Sequence, residues 1–296
     1  MLRSVHSLPR PCGFGQLTQG ALYYAGVAAA LSSKPEEAVS FLKQSILIDA
    51  RYDLKNPDLV SLKERNDFIN LVKLQQGLST PVINSDTAFT VKDRQLHAEG
   101  IAYNPGAKTF YLGSIHHRKI VKVDTDGRTT DFIKNPPPET ASIFGIKIDG
   151  KKKFLWACSS ALPETKDYNE SIPSNVYKYD LNGNVISSFA PPSDVKGAIF
   201  GDILLSRKDE VYVSDSKNNL ILKVNESTRK LERFFESADF LNIQGITFSD
   251  DNSIMFVADY MGGVYKLEMK TKRLTKIECL ADVAVKGIDG LIFYKG

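Results

Sequence analysis

Four polar side chains stand beside recurring glycines, and together they could bind a metal ion. Glu99, Gln244 and Asp289 each precede a glycine, and Asp202 follows one. Carboxylate and amide oxygens are the ligands that hard divalent cations prefer. If the four side chains converge, we expect a divalent cation between them, calcium before zinc or manganese. The alternative is that these polar groups satisfy backbone groups at strand ends or bind water.

The glycines belong to a repeat that would bring the four side chains together. Successive glycines of this repeat are 45, 56, 44 and 45 residues apart. They are Gly100, Gly145, Gly201, Gly245 and Gly290. Short β-rich runs and turn residues recur between them in a constant order, and four strands per 45 residues or so is the pattern of a β-propeller blade. The first strand of a blade lines the central channel, so polar residues at its start are expected to face one channel mouth.

The repeat therefore predicts a mainly β fold, a β-propeller of the six-bladed type. Four complete blades are expected from about Ala98 to Leu280, and a fifth begins near Gly287. The segment 88–91 is predicted to be an outer strand that completes the last blade. Two further blades would be needed to close a six-bladed ring, so the ring is expected to be cut short at the C-terminus or to close with a partner. The longest step between glycines contains an extra segment, 163–173, which predicts an insertion loop.

The chain before this repeat has helical spacing and predicts a separate segment, 1–77, ahead of a propeller domain, 78–296. An apolar run at 21–31 is followed by Pro35 and two glutamates, which suit the first turn of a second helix. Ala38, Leu42 and Ile46 follow at helical spacing, and the small Gly26 would let the two helices approach closely. Residues 1–35 contain no Asp or Glu. A cleaved export signal is therefore the alternative to a buried helix, and a cytoplasmic and an exported protein both remain open.

Composition and charge disfavour several classes of protein. Apolar residues make up 42% and charged residues 25% of the chain, which is ordinary for a soluble globular protein. The net charge of +3 is too small to indicate nucleic-acid binding. No run of eighteen apolar residues occurs, so no membrane span is expected. The three cysteines, Cys12, Cys158 and Cys279, are far apart and odd in number, which disfavours a disulfide scaffold or a zinc ribbon.

The helical segment resembles one tetratricopeptide unit. The resemblance is carried by Leu-Tyr-Tyr-Ala-Gly at 22–26, Pro-Glu-Glu-Ala at 35–38 and Ile-Leu-Ile-Asp at 46–49. The stretch 56–69 resembles the tail that often ends such arrays. A single unit cannot bury its own apolar face, so either the helical hairpin packs on a further element or upstream repeats are missing from this chain. The hairpin is also a candidate docking site for a protein partner.

From residue 81 onward, the chain resembles the gluconolactonase and regucalcin (senescence marker protein) superfamily of six-bladed propellers. The resemblance rests on Ala-Glu-Gly-Ile-Ala-Tyr at 98–103, Phe-Gly-Asp at 200–202, Val-Tyr-Val-Ser-Asp-Ser at 211–216 and Ile-Asp-Gly-Leu at 288–291. It implies that Glu99 and Asp289 bind a divalent cation. The asparagines that complete the family's site would fall at Gly201 and Gln244, so one ligand is lost and another is longer by a methylene.

The resemblance also implies hydrolysis of a small lactone or ester bound in the channel. The cation would polarise the carbonyl group and stabilise the oxyanion, and Asp289 would be the catalytic residue that orients or deprotonates the attacking water. Substrate-binding residues are expected just past the second strands: His116, His117, Arg118, Asp215, Asp259 and Tyr260. Successive strand residues point to opposite sides, so at most one of the two histidines faces the channel, and both could instead lie on the hairpin surface. The alternative function is a non-catalytic propeller that binds a ligand or a protein.

Overall fold

The computed structural model describes residues 19–80, 83–133, 135–149, 151, 153–280, 283 and 285–294. These residues divide into two compact units. Residues 19–80 and 283 belong to a helical unit, and the remaining described residues form a β unit. None of the described helices combines the length and the apolar character needed to cross a membrane.

The helical unit contains three α-helices and one 3-10 helix. They are α1 (Gln19–Leu31), α2 (Pro35–Ile46), the 3-10 helix (Pro57–Leu62) and α3 (Asn66–Leu78). Pro35 is the first residue of α2, as predicted, and two glutamates occupy the first turn. A Cβ atom on Gly26 would lie 2.7 Å from Cγ of Leu42. The missing side chain therefore lets α1 and α2 pack closely, as the sequence indicated.

The apolar face of α2 is buried within the helical unit. At most 1% of Ala38, Leu42 and Ile46 is exposed. These residues form one cluster with side chains of the 3-10 helix and of α3, among them Leu59 and Phe68. The unit thus supplies the further packing element that a single helix pair lacks. The tetratricopeptide resemblance itself stays a prediction.

The β unit consists of four antiparallel sheets of four strands each, which confirms the predicted mainly β, propeller-type fold. Within each sheet the strands pair in chain order, and we refer to the sheets as blades 1 to 4. The strands are β1 (Ala98–Asn104), β2 (Thr109–Ser114), β3 (Ile120–Val123), β4 (Thr129–Asp131), β5 (Ser142–Asp149), β6 (Phe154–Ser160), β7 (Asn175–Asp180), β8 (Val185–Phe189), β9 (Phe200–Leu205), β10 (Val211–Asp215), β11 (Leu220–Asn225), β12 (Lys230–Glu236), β13 (Ile243–Phe248), β14 (Ile254–Asp259), β15 (Gly263–Glu268) and β16 (Leu274–Lys276).

The middle strands are buried on both faces, and blade 2, which packs between blades 1 and 3, shows how. In β6, Leu155 and Ala157 join a cluster with Tyr111 of blade 1. The intervening Trp156 and Cys158 join a cluster with residues of blade 3. The two-residue period of a strand sends alternate side chains into two different interfaces. The strand sequences are therefore continuously apolar instead of alternating with polar residues.

The first strand of every blade carries a β-bulge at the repeat glycine. The pairing register shifts between Ala98 and Ile101, between Ile143 and Ile146, opposite Val213 and Asp215, and between Ile243 and Ile246. Neighbouring blades approach each other at these points. A Cβ on Gly100 would overlap the carbonyl oxygen of Phe144, and one on Gly145 would lie 2.7 Å from Cα of Asp202. Only glycine fits at these two positions, which explains why it recurs there.

Residues 285–294 form no strand but lie along β13. The amide of Gly245 donates to the carbonyl oxygen of Asp289 at 2.7 Å, and the amide of Phe293 donates to Oγ1 of Thr247 at 3.2 Å. The ring of Phe293 stacks on that of Phe256, with centroids 5.8 Å apart. This is the position expected for the start of a fifth blade, and it carries Asp289 to the inner edge of blade 4.

The predicted outer strand at 88–91 is not formed, and this expectation was wrong. Phe89 instead packs on Phe110, with ring centroids 4.9 Å apart. Together with Val91 it lies against the apolar face of blade 1 that contains Leu112 and Val121. Burial of the aromatic and β-branched side chains on this face, and not pairing with a strand edge, determines the path of the segment.

Candidate functional site

The inner strands of the blades enclose a cavity of about 400 Å³. All five repeat glycines line it, so the register derived from glycine spacing is confirmed. Its polar side chains are Glu99, Lys147, Asp202, Gln244 and Asp289. The structure therefore brings the four predicted metal ligands to one cavity. It adds Lys147, which the sequence reasoning missed although this residue lies two positions after a repeat glycine, on an inner strand.

Asp202 is held by backbone amides of two neighbouring blades. Its Oδ1 accepts a hydrogen bond from the amide of Ile203 at 2.8 Å, and its Oδ2 accepts one from the amide of Ile246 in blade 4 at 3.0 Å. Burial raises the pKa of the Asp202 carboxyl, while the positive charge of Lys147 and the two amide hydrogen bonds act in the opposite direction. The side chain ties blade 3 to blade 4. Its predicted role as a metal ligand is untested, and this geometry does not favour it.

The amide oxygen of Gln244 occupies the space that Gly201 leaves open. A Cβ on Gly201 would lie 3.2 Å from Oε1 of Gln244. The amide nitrogen of Gln244 donates to Oδ1 of Asn242 at 2.6 Å, which fixes the amide group with its oxygen toward Gly201. The lack of a side chain at Gly201 thus provides the space that the longer side chain of Gln244 fills.

Glu99 and Asp289 are the two carboxylates of the cavity that no protein group neutralises. Within the described residues, neither carboxylate accepts a hydrogen bond or forms an ion pair. Both residues are exposed, but neighbouring protein atoms partly shield the Glu99 carboxyl group from solvent. This partial burial, followed by repulsion from Asp289 and Asp202, raises the pKa of Glu99, and nearby His97 acts in the opposite direction. The channel is therefore electronegative on the side of these two residues.

No ready-made metal centre accompanies this charge. Among the described residues, no group of three or more His, Cys, Asp or Glu side chains is close enough to hold a metal ion. Two free carboxylates and one amide oxygen supply fewer ligands than the six to eight oxygens that calcium takes. The donor types suit a hard cation, and solvent or ligand oxygens would have to complete its coordination.

His116, His117 and Arg118 do not line the central cavity. His117 and Arg118 border a separate cavity of about 340 Å³ that also includes Lys166. The guanidinium of Arg118 donates to the carbonyl oxygen of Thr140 at 2.8 Å. His116 has Nδ1 2.9 Å from the carbonyl oxygen of Glu164. Burial, followed by the charge of Lys119, lowers the pKa of His117.

Asp215 and Asp259 lie outside the central cavity as well, because their carboxylates hold loops together. Both residues are fully buried. Each ends the second strand of its blade and accepts a backbone hydrogen bond from the segment entering the first strand, from Ile199 at 3.1 Å and from Leu241 at 2.6 Å respectively. Tyr260 is half-buried, and its amide donates to the carbonyl oxygen of Asn242. Substrate binding by these three residues stays an untested prediction, and their positions do not favour it.

Comparison with known proteins gives the setting of this site. No protein-family model matches the chain, and no curated protein sequence matches it. Among solved structures, it is similar to a catalytically inactive virginiamycin B lyase from Staphylococcus aureus crystallised with quinupristin (14% identity, TM-score 0.49, 64% of this chain and 58% of that one). It is similar to a protein of unknown function from Bacteroides caccae (14%, 0.46, 60% and 59%). A nidogen/laminin complex is a further similar structure (12%, 0.47, 60% and 62%).

The chain thus spans about three fifths of the length of these solved structures. At this level of similarity they assign neither a substrate nor a partner. Membership of the gluconolactonase and regucalcin superfamily stays a prediction, and the chemistry must be argued from the cavity.

Proposed function

We propose that the central channel binds a divalent cation, calcium before zinc or manganese, between Glu99 and Asp289. The single observation that carries the proposal is the pair of un-neutralised carboxylates at one cavity, close enough for Asp289 to raise the pKa of Glu99. The two carboxylates repel each other when both are ionised, and a cation between them would relieve that repulsion. The Gln244 amide oxygen is the third candidate ligand.

We further propose that the bound cation serves hydrolysis of a small lactone or ester. The site is incomplete without solvent or ligand oxygens, which is a property of catalytic metal sites as opposed to closed structural ones. When bound, the cation would polarise the carbonyl group of the substrate. Asp289 would accept the proton of the attacking water: its carboxylate, like that of Glu99, has no hydrogen-bond donor among the described residues, and the family resemblance selects Asp289 of the two. Lys147 on the same cavity wall is suited to hold an anionic substrate group.

Thermal melts of the whole chain with calcium, zinc and manganese test the cation site. At a metal concentration of about one hundred times Kd, binding stabilises the native state by about 2.7 kcal/mol, and a rise in Tm of about 5–10 °C is expected. Glu99→Gln and Asp289→Asn should lose most of this rise. Asp250→Asn, a substitution at an exposed carboxylate in the β13–β14 turn, should keep it. Equal rises in all four proteins would refute the site.

Hydrolysis is tested separately with gluconolactone as the probe. The rate is measured by titrating, at constant pH, the protons that the carboxylic acid product releases. Asp289→Asn should abolish metal-dependent turnover. Cation binding without turnover would retain the site and reject the enzyme.

In that case a non-catalytic binding propeller is the second candidate. It is favoured by large apolar side chains exposed on the helical unit, where Tyr24 is 69%, Leu31 65% and Val60 62% exposed. A protein partner on these side chains would use the helical unit for docking and the channel for a small ligand. Deletion of the three apolar groups by a Tyr24→Ser, Leu31→Ser, Val60→Ser variant should weaken such a complex without altering the cation response.

A further inference from the structure

A second cavity lies beside the insertion that distinguishes blade 2. The insertion joins β6 to β7, and with the connection between β8 and β9 it encloses about 490 Å³. This volume falls in the range of small-molecule sites. The cavity shares no lining residue with the central one. Polar and apolar atoms contribute about equally to its lining, and the apolar side chains are those of Leu162, Tyr168, Ile172, Val195 and Ala198.

Hydrogen bonds hold both walls of this insertion cavity in place. Ser174, at the end of the insertion, donates from Oγ to the carbonyl oxygen of Ala198 on the opposite wall at 2.5 Å. At the start of the insertion, Oγ1 of the buried Thr165 accepts from the amide of Leu162 at 3.0 Å and lies 2.5 Å from Oγ of Ser142. The insertion is therefore anchored at both ends to the blade.

Two lysines line the cavity with no carboxylate within ion-pair distance among the described residues, although the charge of Lys196 attracts that of nearby Asp194. Lys196 and Lys217 both line it, and neither ammonium group forms an ion pair within the described residues. Nζ of Lys217 lies 2.8 Å from the point that a Cβ on Gly197 would occupy, on the cavity wall. Glu170 is the acidic residue among the lining side chains. The lining thus carries a net positive charge next to an apolar surface.

We propose that the insertion cavity binds a small amphipathic carboxylate. The apolar walls would hold the body of the ligand, and Lys196 and Lys217 would bind its carboxylate by charge-assisted hydrogen bonds. A neutral ligand of the same shape would fill the same volume but leave both ammonium groups unpaired. Discrimination between a carboxylate and its amide is therefore the signature of this site.

The test uses the whole chain and two matched pairs of probes. Naphthaleneacetate and phenylbutyrate are titrated by isothermal calorimetry, each beside its neutral amide. We expect one site, tighter binding of each acid than of its amide, and weakening as salt is raised. Lys196→Gln and Lys217→Gln should each weaken binding of the acids about two- to five-fold, as expected for an exposed ion pair. The amides should bind these variants as they bind the parent protein.

Lys270→Gln, at an exposed lysine in the β15–β16 turn, is the control and should change nothing. Ile172→Ser should weaken acids and amides alike, because it removes part of the apolar wall that both use. Equal affinity of acid and amide, unchanged affinity in both lysine variants, or no binding of either acid would overturn the proposal. The central cation site is not involved, so loss of the metal response in Glu99→Gln should leave these affinities intact.

Discussion

Replacing Asp259 with asparagine is expected to destabilise the β unit strongly, because each carboxylate oxygen accepts two backbone hydrogen bonds. Oδ1 accepts from the amides of Met261 at 3.0 Å and Gly262 at 2.6 Å. Oδ2 accepts from the amides of Leu241 at 2.6 Å and Asn242 at 2.9 Å. Asparagine keeps one oxygen and turns an NH₂ group toward the other two amides. Two charge-assisted hydrogen bonds are lost whichever way the side chain is oriented, at a cost of about 3–5 kcal/mol.

Asp215 occupies the equivalent place in blade 3 but distributes its hydrogen bonds differently. Its Oδ1 accepts from the amides of Ile199, Lys217 and Asn218 at 3.1–3.2 Å. Its Oδ2 accepts only from the side-chain amide of Asn218, at 2.8 Å. An asparagine can keep all three backbone hydrogen bonds on its oxygen, and the side chain of Asn218 can turn to accept from the new NH₂ group. Asp215→Asn should therefore cost about 1 kcal/mol, mainly through the loss of charge.

Urea unfolding followed by tryptophan fluorescence measures this difference in the β unit alone. Trp156 is the single tryptophan of the chain and is 2% exposed, between blades 2 and 3. A loss of 3–5 kcal/mol in Asp259→Asn would lower Tm by about 10 °C, and Asp250→Asn serves as the exposed control. Equal losses in Asp259→Asn and Asp215→Asn, or the reverse order, would refute the reasoning that the hydrogen-bond pattern on each oxygen determines the cost.

Two further perturbations test the inner edge of the blades. Gly145→Ala should lower the free energy of unfolding by more than about 2 kcal/mol, because the new Cβ would lie 2.7 Å from Cα of Asp202. A Cβ at Gly290 meets nothing within 4 Å, so Gly290→Ala should stay within about 0.5 kcal/mol of the parent protein in the same urea assay. Glu99 has a raised pKa, so as pH rises above about 4.5 the unfolded chain releases this proton first and the folded state loses relative stability. With a metal chelator present, Glu99→Gln should therefore raise the urea midpoint at neutral pH and have no effect below about pH 4; a lower midpoint at neutral pH would contradict this.

The blade repeat could be predicted from sequence because its physical cause is local and recurs. Three of the five repeat glycines, Gly100, Gly145 and Gly245, mark points where inner strands or the segment beside them approach too closely for a Cβ. Strands such as β3 and β10 are short, mainly apolar runs between turn residues. Because both faces are buried, apolar residues occupy consecutive positions and do not show the spacing of an amphipathic helix. The segment 88–91 is likewise rich in aromatic and β-branched residues. Composition alone could not distinguish an apolar side chain on a sheet face from one in a paired strand.

Side-chain direction at the inner edge could not be predicted, because four of the five repeat glycines sit in β-bulges. A bulge breaks the two-residue alternation from which strand orientation is inferred. Asp202 follows its glycine, whereas Glu99 and Asp289 precede theirs. That offset of two positions, across the bulge, places the Asp202 carboxylate at the amides of Ile203 and Ile246. A sequence signal did exist at Asp215, since an aspartate that starts a turn of Ser-Lys-Asn-Asn is typical of a side chain accepting backbone hydrogen bonds two and three residues on.

The supply of backbone donors therefore separates the five acidic residues that the sequence nominated. The carboxylates of Asp202, Asp215 and Asp259 lie where bulges and turns leave amides without a strand partner, and those amides use them. Glu99 and Asp289 lie where the amides are directed elsewhere, as the hydrogen bond from Gly245 to the backbone oxygen of Asp289 illustrates. A carboxylate that accepts no hydrogen bond from the protein remains available to bind a positively charged group. These two carboxylates line one cavity, and this arrangement is the reason for proposing a cation there rather than at Asp202, Asp215 or Asp259.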